Sequence, residues 1–363
     1  MRKTKTAGRR IVSWIALALA VLTVVGCLGN LLPRVGEDDI VPDAYGSDVK
    51  LQKVATLRQG YGSNVTAASY TNGVHLVAYD YSYNETALYA SSDGGAWENV
   101  LDHPSVVNQW PAAQMIDEIV YIDGVWYFGF FGWLTNSTDG FIFCFGTPKE
   151  PEDLGGNYGS TFNGSQYSSG RFTALEVVDG TLYTVSEHGG MFYKTTGGAW
   201  RPVVSVDNKP FAGYYVTDIT KCGSTYLALG ESDAGSVLFT ASSMDGTWTM
   251  HELAYYANRI ESAGNVAFLA CDDGVLAYTT NFTNWSYSKM PDRSVDFTEF
   301  FAFEGKHYAI GADDSKGVLY ESTNGGVSWE RVIEVNEPLM AVSVSQTDAF
   351  LYGQQGGVYK LVK

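Results

Sequence analysis

"ESTNGGVSWERV", residues 321–332, and "ASSDGGAWENV", residues 90–100, are nearly one phrase written twice in a chain of 363 residues. Each sets small polar side chains ahead of a Gly-Gly pair and a tryptophan just behind it. Weaker copies stand at 194–203 ("KTTGGAWRPV"), 241–253 ("ASSMDGTWTMHEL") and 277–290 ("AYTTNFTNWSYSKM"). Their tryptophans, Trp97, Trp200, Trp248, Trp285 and Trp329, are spaced by 103, 48, 37 and 44 residues. The first gap is two periods long, and "FCFGTPKEPEDLGG" at 143–156 fills it as a degenerate copy. A period of this size marks a ring or a solenoid of small units.

Around each copy the grammar is constant. Two apolar-alternating runs come first, joined by a tight turn, as in "FTALEVVDGTLYTVSE". The turn pairs Asp123-Gly124, Asp179-Gly180 and Glu304-Gly305 supply the positive φ that a hairpin needs. A third run enters the phrase and a fourth leaves it. Four short antiparallel strands per unit make one blade of an all-β propeller. The units fall at about 60–100, 106–155, 169–205, 211–254, 255–290 and 293–334. The tail offers three further strands, and "DVKLQKVATL", residues 48–57, is spare at the other end. Docked as the fourth strand of the last blade, it closes a ring of seven four-stranded blades and hides open edges.

These phrases resemble the Asp-box, or bacterial neuraminidase repeat, S-x-D-x-G-x-x-W. Ser322, Asn324 and Trp329 follow it with Asn for Asp, and Ser92, Asp93 and Trp97 stand in a copy one residue shorter. The resemblance covers roughly residues 50–363 and implies a sialidase-like propeller. In that family the box is structural, its hydroxyl and carboxyl groups bonding turn backbone while the Trp packs into the sheet. The family holds sialidases, other glycosidases, sorting receptors and a photosystem assembly factor, so it implies fold more than activity. The sialidase Arg-Ile-Pro signature is missing here, and Arg201-Pro202 follows a box instead.

The N-terminus reads as targeting. "MRKTKTAGRR" is basic, an apolar run of 15 residues follows, and "VVGC" ends at Cys27. Residues 1–27 form a secretory signal with a lipobox-like end, which makes Cys27 the lipidation site; an uncleaved anchor is the alternative. Residues 28–47 read as a tether and 48–363 as the propeller, placed outside the cytoplasm, membrane-anchored and monomeric. The formal charge is −17, which argues against nucleic acid as a partner. Cys144, Cys222 and Cys271 read as small buried hydrophobes. No metal site or cofactor is expected; the acidic loops at 271 and 311 have too few ligands for a calcium claim.

Candidate function lies on the face opposite the Asp-box turns, where ligands settle over a propeller's channel. Arg58, Arg171, Arg259 and Arg293 stand where loops enter innermost strands, with Trp110, Tyr214 and Tyr255 nearby. In sialidases three such arginines grip a carboxylate. Glu118, Asp218, Glu261 and Glu299 on innermost strands are weak candidates for glycosidase acid and base, or for plain ion pairs with the arginines. The leading expectation is a binding module for a glycan or a surface protein. The alternatives are a sialidase-like glycoside hydrolase and an extracytoplasmic assembly factor.

Overall fold

The computed structural model describes residues 40–41, 48–57, 64–82, 85–100, 116–123, 125–130, 133–137, 172–186, 189–194, 201–203, 210–290 and 293–362. They form seven antiparallel sheets. The first holds β3 (Asn64–Thr71), β4 (Val74–Ser82), β5 (Glu85–Ser91) and β6 (Glu98–Asn99). The second holds β7 (Ile116–Ile122), β8 (Val125–Phe130) and β9 (Trp133–Ser137). The third runs β10 (Phe172–Val178), β11 (Thr181–Ser186), β12 (Met191–Lys194) and β13 (Arg201–Pro202). The fourth runs β14 (Tyr215–Cys222), β15 (Thr225–Ser232), β16 (Gly235–Ala241) and β17 (Thr249–Glu252). The fifth runs β18 (Ala257–Ala263), β19 (Val266–Cys271), β20 (Val275–Thr279) and β21 (Ser286–Lys289). The sixth runs β22 (Val295–Phe303), β23 (Lys306–Asp313), β24 (Lys316–Ser322) and β25 (Glu330–Val335).

The last sheet joins the two ends of the chain. Strands β26 (Leu339–Val344), β27 (Ala349–Gly353) and β28 (Gly357–Val362) come from the tail, and β2 (Lys50–Thr56) pairs with β28 from Lys50↔Val362 to Thr56↔Gly357. The N-terminal strand therefore closes the ring, and Val49 and Leu51 are buried in the core it completes. Two expectations need correction. Full blades of four or more strands number six; the sheet β7–β9 shows three, and its fourth-strand phrase at 143–156 lies outside the described residues. The tether also contributes structure, because Ile40–Val41 form β1 and add a fifth strand to the closing sheet beside β2. Residues 1–39, with Cys27, lie outside the described residues.

First strands touch in sequence order, β3 to β7, β10, β14, β18, β22, β26 and back to β3, so they surround a common axis. The hairpin turns behave as their residues dictate. Asp123, Asp179 and Glu304 take φ of 50°, 51° and 48°, with Gly180 and Gly305 at 72° and 78°.

In the box at 90–100, Gly95 and Ala96 donate backbone N–H to Asp93 Oδ1 at 2.8 and 3.2 Å. Gly94 N–H donates to Ser91 Oγ at 2.8 Å, and Trp97 Nε1 donates to the Gly94 carbonyl at 3.1 Å. The structural hydroxyl is thus Ser91, not Ser92, which is exposed. Ser322, Asn324 and Trp329 repeat the arrangement: Gly326 N–H bonds Ser322 Oγ, Ser328 N–H bonds Asn324 Oδ1, and Trp329 Nε1 bonds the Gly326 carbonyl. Trp248 Nε1 donates to the Met244 carbonyl. The 279–285 copy has no glycine in the turn, and Phe282 takes φ of 63° there; the buried Trp285 Nε1 finds no acceptor among the described residues. Trp200 lies outside the described residues.

The glycines do more than turn. A Cβ on Gly94 would lie 1.9 Å from the Phe350 ring of the closing sheet, and one on Gly326 would lie 2.4 Å from the Phe268 ring of the fifth sheet. Gly94 and Gly326 are thus each the seat for an aromatic ring from the preceding blade, which ties blade to blade.

Candidate functional site

The first strands share one irregularity that places the site. Pairing of each with its second strand shifts between Val65 and Ala67, Ile116 and Glu118, Phe172 and Ala174, Val216 and Asp218, Ala257 and Arg259, Phe297 and Glu299, and Leu339 and Ala341. A bulge bends the strand and re-aims the side chain after it. Ala67, Glu118, Ala174, Asp218, Arg259, Glu299 and Ala341 therefore occupy equivalent positions around the axis, and four of the seven are ionisable.

Arg259 is the centre. Its guanidinium lies 3.1 Å from Glu299 Oε1 and 3.4 Å from Asp218 Oδ2, on the strands either side. It lies 3.6 Å from Glu118 Oε1, across the axis on β7, and 3.8 Å from Glu261 Oε1 on its own strand. Asp218 Oδ2 also accepts the Ile260 backbone N–H at 3.1 Å, which fixes the carboxylate between β14 and β18.

The electrostatics follow from crowding several carboxylates around one cation. Asp218, then Glu299, Glu118 and Glu261, hold the Arg259 guanidinium charged well above its ordinary range, against the cost of burial. Burial raises Glu299 to about 7 although Arg259 opposes the rise. Burial likewise raises Glu261 to about 8, opposed by Arg259 and reinforced by Asp218 and Glu299. Asp218 is also raised by burial. One guanidinium cannot neutralise the set.

Glu176 belongs to the same group, and sequence reasoning missed it. It lies on β10, two residues past the bulge position, as Glu261 does on β18. Burial, then Glu118 and Asp218, push it well above the usual carboxylate range. The signal was present in the parallel between "Ala-Leu-Glu" at 174–176 and "Arg-Ile-Glu" at 259–261.

The other expected residues part company. Arg293 is exposed and stands six residues ahead of Glu299, so it does not share the position of Arg259. Arg58, Arg171 and Trp110 lie outside the described residues. Tyr214 packs edge-on against Phe239 at 5.3 Å, and Tyr255 packs on Tyr287 at 5.1 Å with Lys289 over its ring, so both are half-buried in their own blades. Among the described residues no group of three or more His, Cys, Asp or Glu side chains is arranged to hold a metal. In the acidic loop at 271, Asp272 accepts the Asn258 amide and Asp296 accepts the Asp273 N–H. Cys222 and Cys271 are buried free thiols; Cys144 lies outside the described residues.

No family model and no curated protein sequence matches the chain. Solved structures do. YCF48 bound to a D1 peptide is 18% identical with a TM-score of 0.60, covering 89% of this chain and 99% of that one. A catalytically inactive virginiamycin B lyase from Staphylococcus aureus with quinupristin is 12% identical with a TM-score of 0.63, covering 87% and 100%. The WD40 propeller domain of Doa1 is 13% identical with a TM-score of 0.58, covering 86% and 97%. At these identities the likeness is one of fold, and the fold they share with this chain is the β-propeller.

Proposed function

We propose that the chain is an exported, membrane-anchored propeller that binds a protein partner over the axis of its ring. The observation that carries this is the state of Arg259. Its guanidinium already faces Glu299, Asp218, Glu118 and Glu261. An anionic sugar would have to displace carboxylates that cannot leave, so the carboxylate-gripping role of sialidase arginines is a poor fit. The surplus of acid around the axis favours basic segments instead, and complementary charge speeds encounter and selects partners. One of the similar structures, YCF48 bound to a D1 peptide, supports a peptide-binding reading by analogy of fold. Selection of random displayed peptides on the full-length protein in detergent should enrich lysine- and arginine-bearing sequences. Enrichment of acidic sequences, or a hit on a glycan array with no peptide enriched, would overturn it.

A second reading has its own observation. Glu299 raised to about 7 beside other carboxylates is what a general acid working near neutrality needs. As a glycoside hydrolase the protein would turn over some member of a broad glycoside panel, and Glu299→Gln would abolish that turnover with the fold intact. Silence across the panel removes this reading.

A further inference from the structure

The chain carries a carboxyl group that lacks the cation its own repeat provides elsewhere. On β18, Arg259 and Glu261 stand two residues apart and pair at 3.8 Å. On β10 the equivalent positions are Ala174 and Glu176, so the carboxyl is kept and the cation is gone. Among the described residues Glu176 makes no ion pair and no hydrogen bond through its side chain. What stands beside it is space. A cavity of about 330 Å³ opens between β10 and β14, lined by Glu176, Val178, Asp179, Thr220, Lys221 and Gly223. That volume is at the lower end of small-ligand sites.

The rim shows which chemistry suits the place. Asp179, in the β10–β11 turn, accepts Lys221 Nζ at 2.5 Å and the Tyr226 hydroxyl at 2.7 Å, and the same ammonium lies 4.9 Å from the Tyr226 ring centre. A carboxylate with a tyrosine here already holds one primary ammonium. Glu176 lies deeper, in the negative field of Glu118 on β7, Asp218 on β14 and Glu261 on β18, offset in part by Arg259. The turns that form the rim lie on the same face as the Asp-box turns, because first-to-second and third-to-fourth connections share one end of an antiparallel blade. The site is therefore distinct from the opposite face, where loops enter the first strands.

We propose that this cavity binds a primary ammonium group, with Glu176 as its counter-ion. The ammonium comes from a lysine side chain of a partner or from a free polyamine. The flexible, compact ammonium fits a pocket with one carboxyl left unpaired better than the planar guanidinium, which asks for a paired acceptor. Burial and the acids of β7, β14 and β18 keep Glu176 protonated above its ordinary range, and binding reverses this. The incoming R–NH3+ keeps its protons, the Glu176 carboxyl gives one to solvent, and the product is an ammonium–carboxylate pair. Affinity then increases with pH until Glu176 is ionised without ligand.

The test is calorimetry on the full-length protein in detergent with three probes: cadaverine, Nα-acetyl-lysine methylamide and the uncharged norleucine counterpart. Saturable binding of an ammonium probe, none of the norleucine compound, and proton release seen as heat that varies with buffer are expected. Glu176→Gln should weaken binding tenfold or more. It removes a repelled carboxyl, so its melting temperature should hold or rise. Tighter cadaverine binding assigns the site to polyamines, and tighter acetyl-lysine binding assigns it to a partner's lysine. Absence of saturable binding, unchanged affinity in the variant, or binding without proton release each overturns the proposal. Should the variant fail to fold, proton release by the unaltered protein decides. Peptide selection unaffected by Glu176→Gln, with ammonium binding lost in the same variant, supports the site as one for polyamines and leaves the partner reading standing beside it.

Discussion

Alanine placed at the two neighbouring glycines of the 321–332 turn separates what the backbone needs from what the ring needs. Gly325 has φ of +74° and nothing within 4 Å of a built Cβ. Gly326 has φ of +86° and the Phe268 ring at 2.4, 3.2 and 3.4 Å. Left-handed backbone costs a non-glycine residue about 1–2 kcal/mol, and the lost freedom of the unfolded chain returns about 0.4–1 kcal/mol. Gly325→Ala should therefore cost only about 1 kcal/mol. Gly326→Ala carries the same backbone cost plus overpacking of about 1–3 kcal/mol, because Phe268 is stacked on Phe300 at 4.2 Å and has nowhere to retreat. The total is about 2–4 kcal/mol. Denaturant unfolding followed by tryptophan fluorescence reads both, and an unchanged slope with a lower midpoint would confirm a stability effect. Equal losses at the two positions would refute the seat-for-a-ring argument, as would a Phe268→Leu, Gly326→Ala double variant no better than the single.

Stability should fall as pH rises. Glu299 and Glu261 titrate near 4.5 unfolded but at about 7 and 8 in the folded ring, so the native state holds more protons between those values. The stabilising protonation is complete below pH 4.5 and is lost as pH climbs through 7 to 8; for Glu299 alone the span is worth roughly 3 kcal/mol. Glu299→Gln should flatten that slope in melts between pH 5 and 8, and an unaltered slope would contradict the crowding argument. Removing the cation, Arg259→Met, should cost about 3–5 kcal/mol at pH 8 and much less at pH 5, because it strands carboxylates that acid can neutralise. Leu51→Asp should lower the melting temperature by many degrees by unseating β2 from the closing sheet, where Leu51 is fully buried; an unchanged melt would mean the ring does not need its N-terminal strand. Cys222 and Cys271 should resist thiol reagents in the native state, since burial raises both and Cys271 reaches about 12.

The sequence by itself determined whatever depends on neighbours along the chain. Asp179-Gly180 and Glu304-Gly305 had to turn, the Ser/Asp/Gly/Trp phrases had to close their own backbone bonds, and "VKLQKVATL" had to find a partner for its apolar face. These are short-range requirements, so residue types state them. Even there Ser91 and Ser92 were interchangeable on paper, because only the turn's coordinates say which hydroxyl meets the Gly94 N–H. The centre of the ring was decided by tertiary structure alone. Arg259, Arg171 and Arg293 look alike as loop-entry arginines, and nothing local shows that a bulge after Ala257 carries Arg259 onto the axis while Arg293 stays at the surface. Glu118 and Arg259 are 141 residues apart and meet at 3.6 Å only because seven first strands close a circle. Glu176 stands in a visible parallel with Glu261 along the chain, but only the register places it beside a cavity and opposite acids on three other strands. A one-residue shift in pairing turns every side chain to the other face, so which charges converge is fixed by registers and closure that no single stretch of the chain contains.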